Sequence, residues 1–346
     1  MNSCSDSKWK IVTLFLLLIG NIAYADEPKT DTLILYNGDK VTCAVKQLTL
    51  GKLQVKTSDL GTLNIKWYKI AQIETKQILE IILKDRTKIY GTMSKTDSIG
   101  YVIIKSGLMI EDVYPIMEIV SINQIAKNFW QGLDGSFSYG LSYSKGTDNL
   151  QSNLAANVSY RTNNFLNKLL VNSIISNNSQ ELSRKQDVTY SLFYYFKKRA
   201  FVNSTIAWQQ NSELGIDSRY LGGLGIGYIA VQSNSNLLKL MMGPIANIEL
   251  DDQANKSQAL EAIFSLNYNL YLFSNPKISI SSYAILYPGI TDWGRFRSDL
   301  NTQISWEIFS NFTFGLSVYF NSDNKPSSTT ASKTDWGSTT SIGYTF

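Results

Sequence analysis

The sequence contains no histidine and only two cysteines, Cys4 and Cys43. Without histidine the chain cannot form the Ser-His or Cys-His pairs that activate most hydrolase nucleophiles, and it lacks the commonest nitrogen ligand of zinc. Cys4 lies in the N-terminal leader, so Cys43 is left without an intramolecular disulfide partner. The composition therefore favours a protein that is not an enzyme, and we expect no catalytic residue, no cofactor and no metal site.

Long apolar runs are also missing. Residues 11–19 are apolar, follow two lysines, and precede Ala23 and Ala25 in an A-x-A pattern. This arrangement predicts a secretory signal peptide over residues 1–25, cleaved after Ala25. A helical membrane anchor is the alternative, but the run is about half of the ~20 residues that such a span needs. No later segment is longer, so only a closed β-barrel could cross a membrane.

The chain also lacks a large excess of positive or negative charge. The 32 lysines and arginines against 28 aspartates and glutamates give a formal net charge of +4. This balance is too even to predict binding of a nucleic acid.

Residues 32–123 contain a weak internal repeat. LYNGDKVTCAV aligns with LKDRTKIYGTM, so that Cys43 corresponds to Gly91, and IAQIE aligns with IVSIN at nearly the same offset. Short alternating strands joined by Asn, Gly and Asp turns occur in both copies. The repeat predicts two small β modules, at residues 26–77 and 78–125. A chance similarity between two β-rich segments is the alternative, since no long identity supports the alignment.

The segment NGDKVTCAVKQLTLGKLQVKTSDLGTLNIKWYKIAQIE resembles the small Sm-like, SH3-type barrels that precede some outer-membrane domains. Sm folds elsewhere bind RNA. A secreted module with scattered lysines and no cluster of aromatic side chains gives no reason to expect RNA binding here.

Beyond residue 131 apolar and polar residues alternate to the end of the chain. FTFGLSVYF places Phe312 and Phe314 on one face and Thr313 and Gly315 on the other. The polar face is mostly Ser, Thr, Asn, Gly and Tyr, whereas a soluble sandwich carries a charged surface. Lipid outside and water inside explain this pattern. The sequence predicts an all-β fold: a transmembrane antiparallel outer-membrane β-barrel over residues 130–346, preceded by the two SH3/Sm-like modules.

The alternation predicts about twelve strands, an even number as in bacterial single-chain barrels. They are placed at residues 132–146, 150–162, 167–178, 185–198, 200–211, 217–232, 236–251, 257–273, 276–290, 295–309, 311–322 and 334–346. Short and long connections alternate, and short turns are typical of the periplasmic side. Both ends of the barrel segment lie on the short-turn side, which predicts periplasmic modules and an outer-membrane location in a Gram-negative bacterium.

The last predicted strand, DWGSTTSIGYTF, places Trp336, Ile342, Tyr344 and Phe346 on its lipid-facing side. An unpaired edge in hydrocarbon would leave backbone groups unsatisfied, so this strand is expected to close against the first. The terminal Phe346 resembles the signal by which barrel-assembly machinery recognises its substrates, although Ser341 stands where glycine is expected. Outer-membrane lipids and this machinery are therefore expected partners.

Inward-pointing charges are the candidate functional residues. Strand parity places eight charged side chains in the lumen: Arg161, Arg219, Lys239, Glu249, Glu261, Arg297, Asp299 and Glu307. Two interpretations remain open, a hydrated conduit with selectivity set by these charges and a salt-bridge network that fills the barrel. A barrel of about twelve strands is larger than one that side chains can fill and smaller than an open porin. The strand number therefore does not decide between the two interpretations.

Two other motifs invite an interpretation as sites. Glu249 and Glu261 lie on adjacent predicted strands and could form the carboxylate pair of a glycosidase, although lumen carboxylates facing arginines are more often structural. GGLGIG resembles a phosphate-binding loop, but Gly223, Gly225 and Gly227 repeat with period two and no helix pattern follows. Small lumen-facing residues explain it better.

The segments DSRYLGGLGIGY, MMGPIANIE and ILYPGITDWGRFRSDLNTQISWEIFSNFTFGLSVYF together resemble the YdiY-like, salt-induced outer-membrane proteins, which carry a domain of unknown function. The resemblance covers roughly residues 130–346. It implies an outer-membrane barrel with a role in salt or osmotic stress and supplies no substrate. A narrow pore or an envelope-maintenance protein is therefore expected. The alternative is an anchor or scaffold whose periplasmic modules bind peptidoglycan or a protein.

Overall fold

The computed structural model describes residues 30–107, 110–125, 129–146, 149–162, 164–177, 182–196, 199–212, 216–251, 256–274, 276–325 and 333–346. The predicted signal peptide and its cleavage site lie outside these residues. In this part of the chain, every helix is too short or too polar to cross a membrane.

The first ten strands form one domain, called here the N-terminal domain (residues 30–125). Its strands are β1 Asp31–Leu35, β2 Lys40–Thr49, β3 Lys52–Lys56, β4 Thr62–Lys66, β5 Ile70–Glu74, β6 Leu79–Leu83, β7 Lys88–Lys95, β8 Tyr101–Ser106, β9 Ile110–Pro115 and β10 Ile119–Gln124. All the pairings recorded between them are antiparallel, and the strand order along the main path is β4-β3-β2-β10-β6-β7-β8-β9, with β1 between β2 and β5.

Strands β1–β5 and β6–β10 follow the same order of elements. A single turn of 3-10 helix precedes the last strand of each half, at Trp67–Lys69 and at Ile116–Glu118. The aligned residues Lys40 and Lys88 begin β2 and β7. Equivalent positions along the chain thus start equivalent strands.

The two halves of the N-terminal domain share one hydrophobic core. Strand β10 pairs with β6 of its own half and also with β2 of the other half, where Ile122 lies opposite Leu48. Trp67 is fully buried in this core, and its indole N–H donates to the backbone oxygen of Ile116 at 2.9 Å. Because the core draws on both halves, residues 26–77 and 78–125 are joined into one folding unit rather than two separate modules.

The described residues from Phe129 onwards include a short helix and a twelve-stranded antiparallel sheet, called here the barrel sheet. Its elements are α1 Phe129–Gly132, β11 Leu133–Ser144, β12 Asn149–Arg161, β13 Phe165–Asn177, β14 Leu182–Tyr195, β15 Ala200–Asn211, β16 Ile216–Gln232, β17 Asn236–Asp251, β18 Lys256–Leu272, β19 Lys277–Pro288, β20 Phe296–Phe309, β21 Phe312–Asp323 and β22 Thr334–Tyr344. Each strand pairs with the next in sequence. The predicted all-β fold with twelve barrel strands is confirmed, and each observed bound lies within about three residues of the predicted one.

The barrel sheet has an apolar outer face and a polar inner face, called here the lipid face and the lumen face. On β16, Leu224 and Ile226 are largely exposed on the lipid face, whereas Gly225 and Gly227 are buried on the lumen face. The phenyl ring of Phe201, directly opposite on β15, covers Gly227 and occupies the space of a β-carbon there. Close packing inside the sheet therefore explains GGLGIG, which is followed by strand rather than by a helix.

The predicted closure of the last strand on the first is not formed: among the described pairings none joins β22 to β11, so both are edge strands. Both edge strands carry small residues, including Ser136 and Gly140 on β11 and Gly337 and Gly343 on β22. Small side chains specify a strand register weakly. The strong penalty for an open edge exists in hydrocarbon, where no water satisfies the backbone groups.

Candidate functional site

The barrel sheet curls around a cavity of about 680 Å³. Side chains from β13 and β14 line it on one side, including Leu170 and Thr189, and side chains from β18 to β21 line the other, including Asn267, Tyr283 and Asp299. Strands far apart in the sheet therefore face each other across a common space. We call the end of this lumen nearest the N-terminal domain the inner end and the opposite end the outer end.

Two arginine–carboxylate pairs lie towards the outer end. Arg219 on β16 stands directly opposite Glu249 on β17, and its Nε and Nη2 donate to Oε2 of Glu249 at 2.9 and 2.7 Å. Arg297 on β20 reaches across β19 to Glu261 on β18, with Nε to Oε1 at 3.0 Å and Nη2 to Oε2 at 2.5 Å. Such charge-assisted forks are strong interactions.

The second pair is shielded from water. Glu261 is fully buried, and the guanidinium carbon of Arg297 lies 4.6 Å from the centre of the Tyr287 ring. Asp299, on the same strand as Arg297, is within electrostatic reach of Arg297 and Arg219. A buried carboxylate without a cation would be costly, so these arginines neutralise the outer lumen.

Further ion pairs flank the lumen at both ends. Glu307 of β20 pairs with Lys277, which stands opposite it on β19 at the inner end. Arg295, which precedes β20, holds Asp323 of β21 with Nη2 to Oδ2 at 2.7 Å. Along the last strands, each of these carboxylates thus has its own cation.

The inner end has a different balance of charge. Arg161 at the end of β12 lies 3.5 Å from Glu80 of the N-terminal domain. Lys168 on β13 and Lys239 on β17 also face this region, and Lys239 is within electrostatic reach of both Lys168 and Arg161. Three cations of the barrel sheet therefore lie at the inner end, and the N-terminal domain supplies one carboxylate there.

Glu80 is held firmly by its own domain. It is 2% exposed, receives hydrogen bonds from Asn123 Nδ2 at 3.0 Å and Tyr90 Oη at 3.3 Å, and pairs with Lys88 at 2.9 Å. Its position towards the lumen is therefore set by the fold of the N-terminal domain and does not depend on Arg161.

The N-terminal domain sits against the inner turns of the barrel sheet. Asn234, in the β16–β17 turn, donates through Nδ2 to the backbone oxygens of Met117 at 3.2 Å and Ile119 at 3.0 Å. Tyr68 donates to the backbone oxygen of Phe273 at 3.4 Å, and Lys52 lies over the ring of Tyr271 at 4.5 Å. These contacts span two separate inner turns, so the domain covers part of the inner mouth.

Two features make this contact close. Gly51 has a φ of +67°, and a β-carbon there would lie 2.5 Å from the backbone oxygen of Asn234. Arg86 donates to the backbone oxygen of Ile229 at 3.3 Å.

Burial, followed by the positive charge of Arg199, lowers the pKa of Arg86 below its usual value. A guanidinium remains charged under all ordinary conditions, so Arg86 adds positive charge to the inner end.

Residues 138–346 match the family model described as "Protein of unknown function, DUF481". The chain belongs to this family. The match covers eleven of the twelve barrel strands in full and most of β11, and it agrees with the resemblance to the YdiY-like proteins. It does not reach residues 26–125, where the Sm-like resemblance stays a prediction.

A solved structure titled "NanC porin structure in rhombohedral crystal form" is similar to this chain at 9% sequence identity and a TM-score of 0.35, over 61% of this chain and 100% of that one. At these values the barrel assignment rests on the strand pairing of the DUF481 domain itself. No curated protein sequence matches the chain.

Strand register puts the eight predicted residues on the face of the barrel sheet that lines the cavity, and their role as lumen charges stays a prediction. The structure brings Arg219 together with Glu249 and Arg297 together with Glu261. It does not bring Glu249 and Glu261 together: Glu261 lies opposite Ile245, four residues from Glu249 along the strand, or about 13 Å. Each carboxylate is instead held by its own arginine, so the structure does not pair the two with each other.

Sequence reasoning missed several charged residues of the site, among them Lys168, Lys277 and Glu80. Lys168 and Lys277 follow from strand parity once their strands and registers are fixed, so the signal for them was present. Glu80 had no such signal, because only the docking of the N-terminal domain brings it to Arg161.

Proposed function

We propose that the chain is a non-catalytic outer-membrane protein that forms a narrow conduit, with its N-terminal domain in the periplasm covering the inner mouth. The main support for this proposal is the contact between that domain and the inner turns, which involves Asn234, Tyr68 and Lys52. The cavity inside the DUF481 domain supports a hydrated lumen, and the outer arginine–carboxylate pairs narrow it. The resemblance to salt-induced proteins supports a role in osmotic stress.

Single-channel conductance of the full mature chain tests this proposal. Gly51→Ala places a methyl group against Asn234 and should displace the N-terminal domain, giving larger or more frequent conductance steps than the unchanged chain. Gly61→Ala is the matched control, because Gly61 has nearly the same φ of +66° with no atom within 4 Å of a β-carbon. Both variants carry a similar backbone strain, and only the first loses the contact.

An absence of conductance steps from the unchanged chain and from both variants, with folding confirmed by heat-dependent migration on gels, would rule out a conduit. Equal steps from all three would mean that the N-terminal domain does not cover the mouth.

An anchor or scaffold is the second candidate. The N-terminal domain leaves Leu60, Ile99 and Val113 exposed, and a bound partner would cover them. A scaffold would use this domain to bind peptidoglycan or a periplasmic protein. Cosedimentation of the full chain with purified peptidoglycan checks the first partner, and crosslinking in cells followed by purification checks the second.

Assembly should depend on the barrel-assembly machinery and on outer-membrane lipids. Phe346 is fully exposed at the end of the last strand, as a recognition signal requires. Deletion of Phe346 should therefore lower the amount of heat-modifiable protein in the outer membrane, whereas Phe346→Trp should keep most of it.

A further inference from the structure

We propose that the inner end of the lumen is a binding site for small anionic solutes bearing a carboxylate or phosphate group, with Lys168 and Lys239 as the principal contacts and Glu80 as a built-in competitor. This inference rests on the proposed conduit and names the class of solute that the conduit selects.

Strand register brings the cations of this site together. Lys168 lies opposite Ser159, and Arg161, two residues along β12, lies opposite Leu166, so the ammonium and guanidinium groups are on the same face at neighbouring positions. Lys239 extends from β17, four strands further round the sheet. Like Lys168, it stands four residues beyond an inner turn on the lumen face, and it interacts electrostatically with Lys168 and Arg161. The three groups therefore surround one space from two sides of the lumen.

Lys168 and Lys239 have no carboxylate partner among the residues that the structure describes. This differs from the rest of the lumen, where Glu249, Glu261 and Glu307 each have their own cation. Like charges gathered around one space repel one another, and an incoming anion removes this repulsion.

Glu80 indicates the chemistry that this space accepts. Its carboxylate approaches Arg161 to 3.5 Å and is the acidic group that the N-terminal domain presents to the cluster. The side chain is fixed by Asn123, Tyr90 and Lys88, so it cannot move to neutralise Lys168 and Lys239 as well. One fixed carboxylate therefore leaves Lys168 and Lys239 available to a second, mobile anion.

The pairing of the outer carboxylates with arginines determines whether the conduit selects anions or cations. Cation selection would need free carboxylates, but Glu249 and Glu261 of the outer lumen are held by Arg219 and Arg297. Asp299 lies within electrostatic reach of the same two arginines. The uncompensated charge of the conduit is positive and lies at its inner end. Small anions should therefore pass or bind in preference to cations.

Reversal potentials of the full mature chain under a potassium chloride gradient test the proposal in phosphatidylcholine bilayers, whose headgroups carry no net charge. The unchanged chain should prefer chloride, and Lys168→Gln with Lys239→Gln should bring the preference close to parity. Lys145→Gln with Lys256→Gln removes the same charge outside the inner end and should leave the preference unchanged. Cation preference in the unchanged chain, or no effect of the first double variant, would overturn the proposal.

Equilibrium dialysis of the detergent-solubilised chain with radiolabelled inorganic phosphate provides a readout that does not need conduction. Each lost charge-assisted contact should weaken binding about tenfold, so the inner double variant should weaken phosphate binding by roughly a hundredfold or more. Glu80→Gln, which keeps the shape of the side chain, should tighten binding severalfold by removing the competitor.

The two assays separate this inference from the proposed function. Phosphate binding that depends on Lys168 and Lys239, without conductance steps, would refute the conduit and keep the anion site. Conductance without such binding and without anion preference would keep the conduit and refute the anion site.

Discussion

Asp31 shows how one buried carboxylate organises the N-terminal domain. Its Oδ2 accepts from the backbone N–H of Val45 at 2.8 Å and from Gln77 Nε2 at 2.7 Å, and its Oδ1 accepts from the backbone N–H of Lys76 at 2.9 Å. The side chain thus ties β1 to β2 and to the segment that leads into β6. Satisfied acceptors of this kind hold chain segments in one arrangement.

Asp31→Asn should lower the free energy of local unfolding at this point by about 1.5–3 kcal/mol, because an amide turns one of these three acceptor contacts into a donor facing a donor. Hydrogen exchange of the Val45 and Lys76 amides in the full chain measures the loss. Asp39→Asn is the control: its carboxylate is exposed in a turn and bonds only locally, so the change should stay within about 0.5 kcal/mol. Equal effects from both variants would contradict the assigned role.

Cys43 is buried opposite Asp31, and burial, followed by the negative charge of Asp31, raises the pKa of its thiol from 9.0 to about 12. The thiolate is the reactive form, so the folded chain should resist a thiol reagent at pH 8 and react fully after denaturation.

The linked effect on stability has a definite sign. A folded-state pKa above the unfolded one favours the neutral thiol in the fold, so its contribution is complete below pH 9 and is lost as the pH rises towards 12. Cys43→Ala should remove this part of the alkaline loss, measured as the difference between unfolding free energies at pH 8 and pH 10.5. Rapid labelling of the folded chain at pH 8 would contradict the buried thiol.

Among the elements, β16 and β18 together show the two environments of the barrel sheet. Leu224, at its middle, is 59% exposed on the lipid face, and Ser265 of β18 lines the cavity on the lumen face. The same substitution at the two positions therefore samples lipid and water.

Leu224→Arg should destabilise the folded barrel by about 2–4 kcal/mol, the cost of an arginine near the middle of a bilayer. Ser265→Arg should cost much less, because its guanidinium enters a polar cavity. Urea unfolding in lipid vesicles, followed by gel migration, compares the two. Equal costs of Ser265→Arg and Leu224→Arg would contradict the assignment of the two faces, and a larger cost of Ser265→Arg would reverse it.

At the scale of the whole molecule, the open edges of β11 and β22 set an expectation for the membrane. Unsatisfied backbone groups cost several kcal/mol each in hydrocarbon, so the two strands should pair once the chain is in a bilayer. Backbone amides of β11 and β22 should then exchange hydrogen as slowly in vesicles as those of β16. Fast exchange confined to the two edge strands in vesicles would mean that the barrel stays open.

Sequence alone determined the alternation, the strand count and the two faces of the barrel sheet, because side chains of a β-strand point to opposite faces with a period of two residues. It also predicted the eight lumen charges, since parity needs only the bounds of each strand. It could not determine which charges meet: Glu249 and Glu261 are adjacent in strand order, yet a register offset of four residues separates them.

Only the tertiary structure decided how the two parts of the chain are combined. The shared core around Trp67 joined two repeated halves into one domain, because β10 pairs with strands of both. The docking of that domain then placed Glu80 beside Arg161 across 81 positions of sequence. Contacts of this kind depend on the shape of two folded surfaces and leave no periodic pattern in the sequence, whereas the faces of each strand are written directly into it.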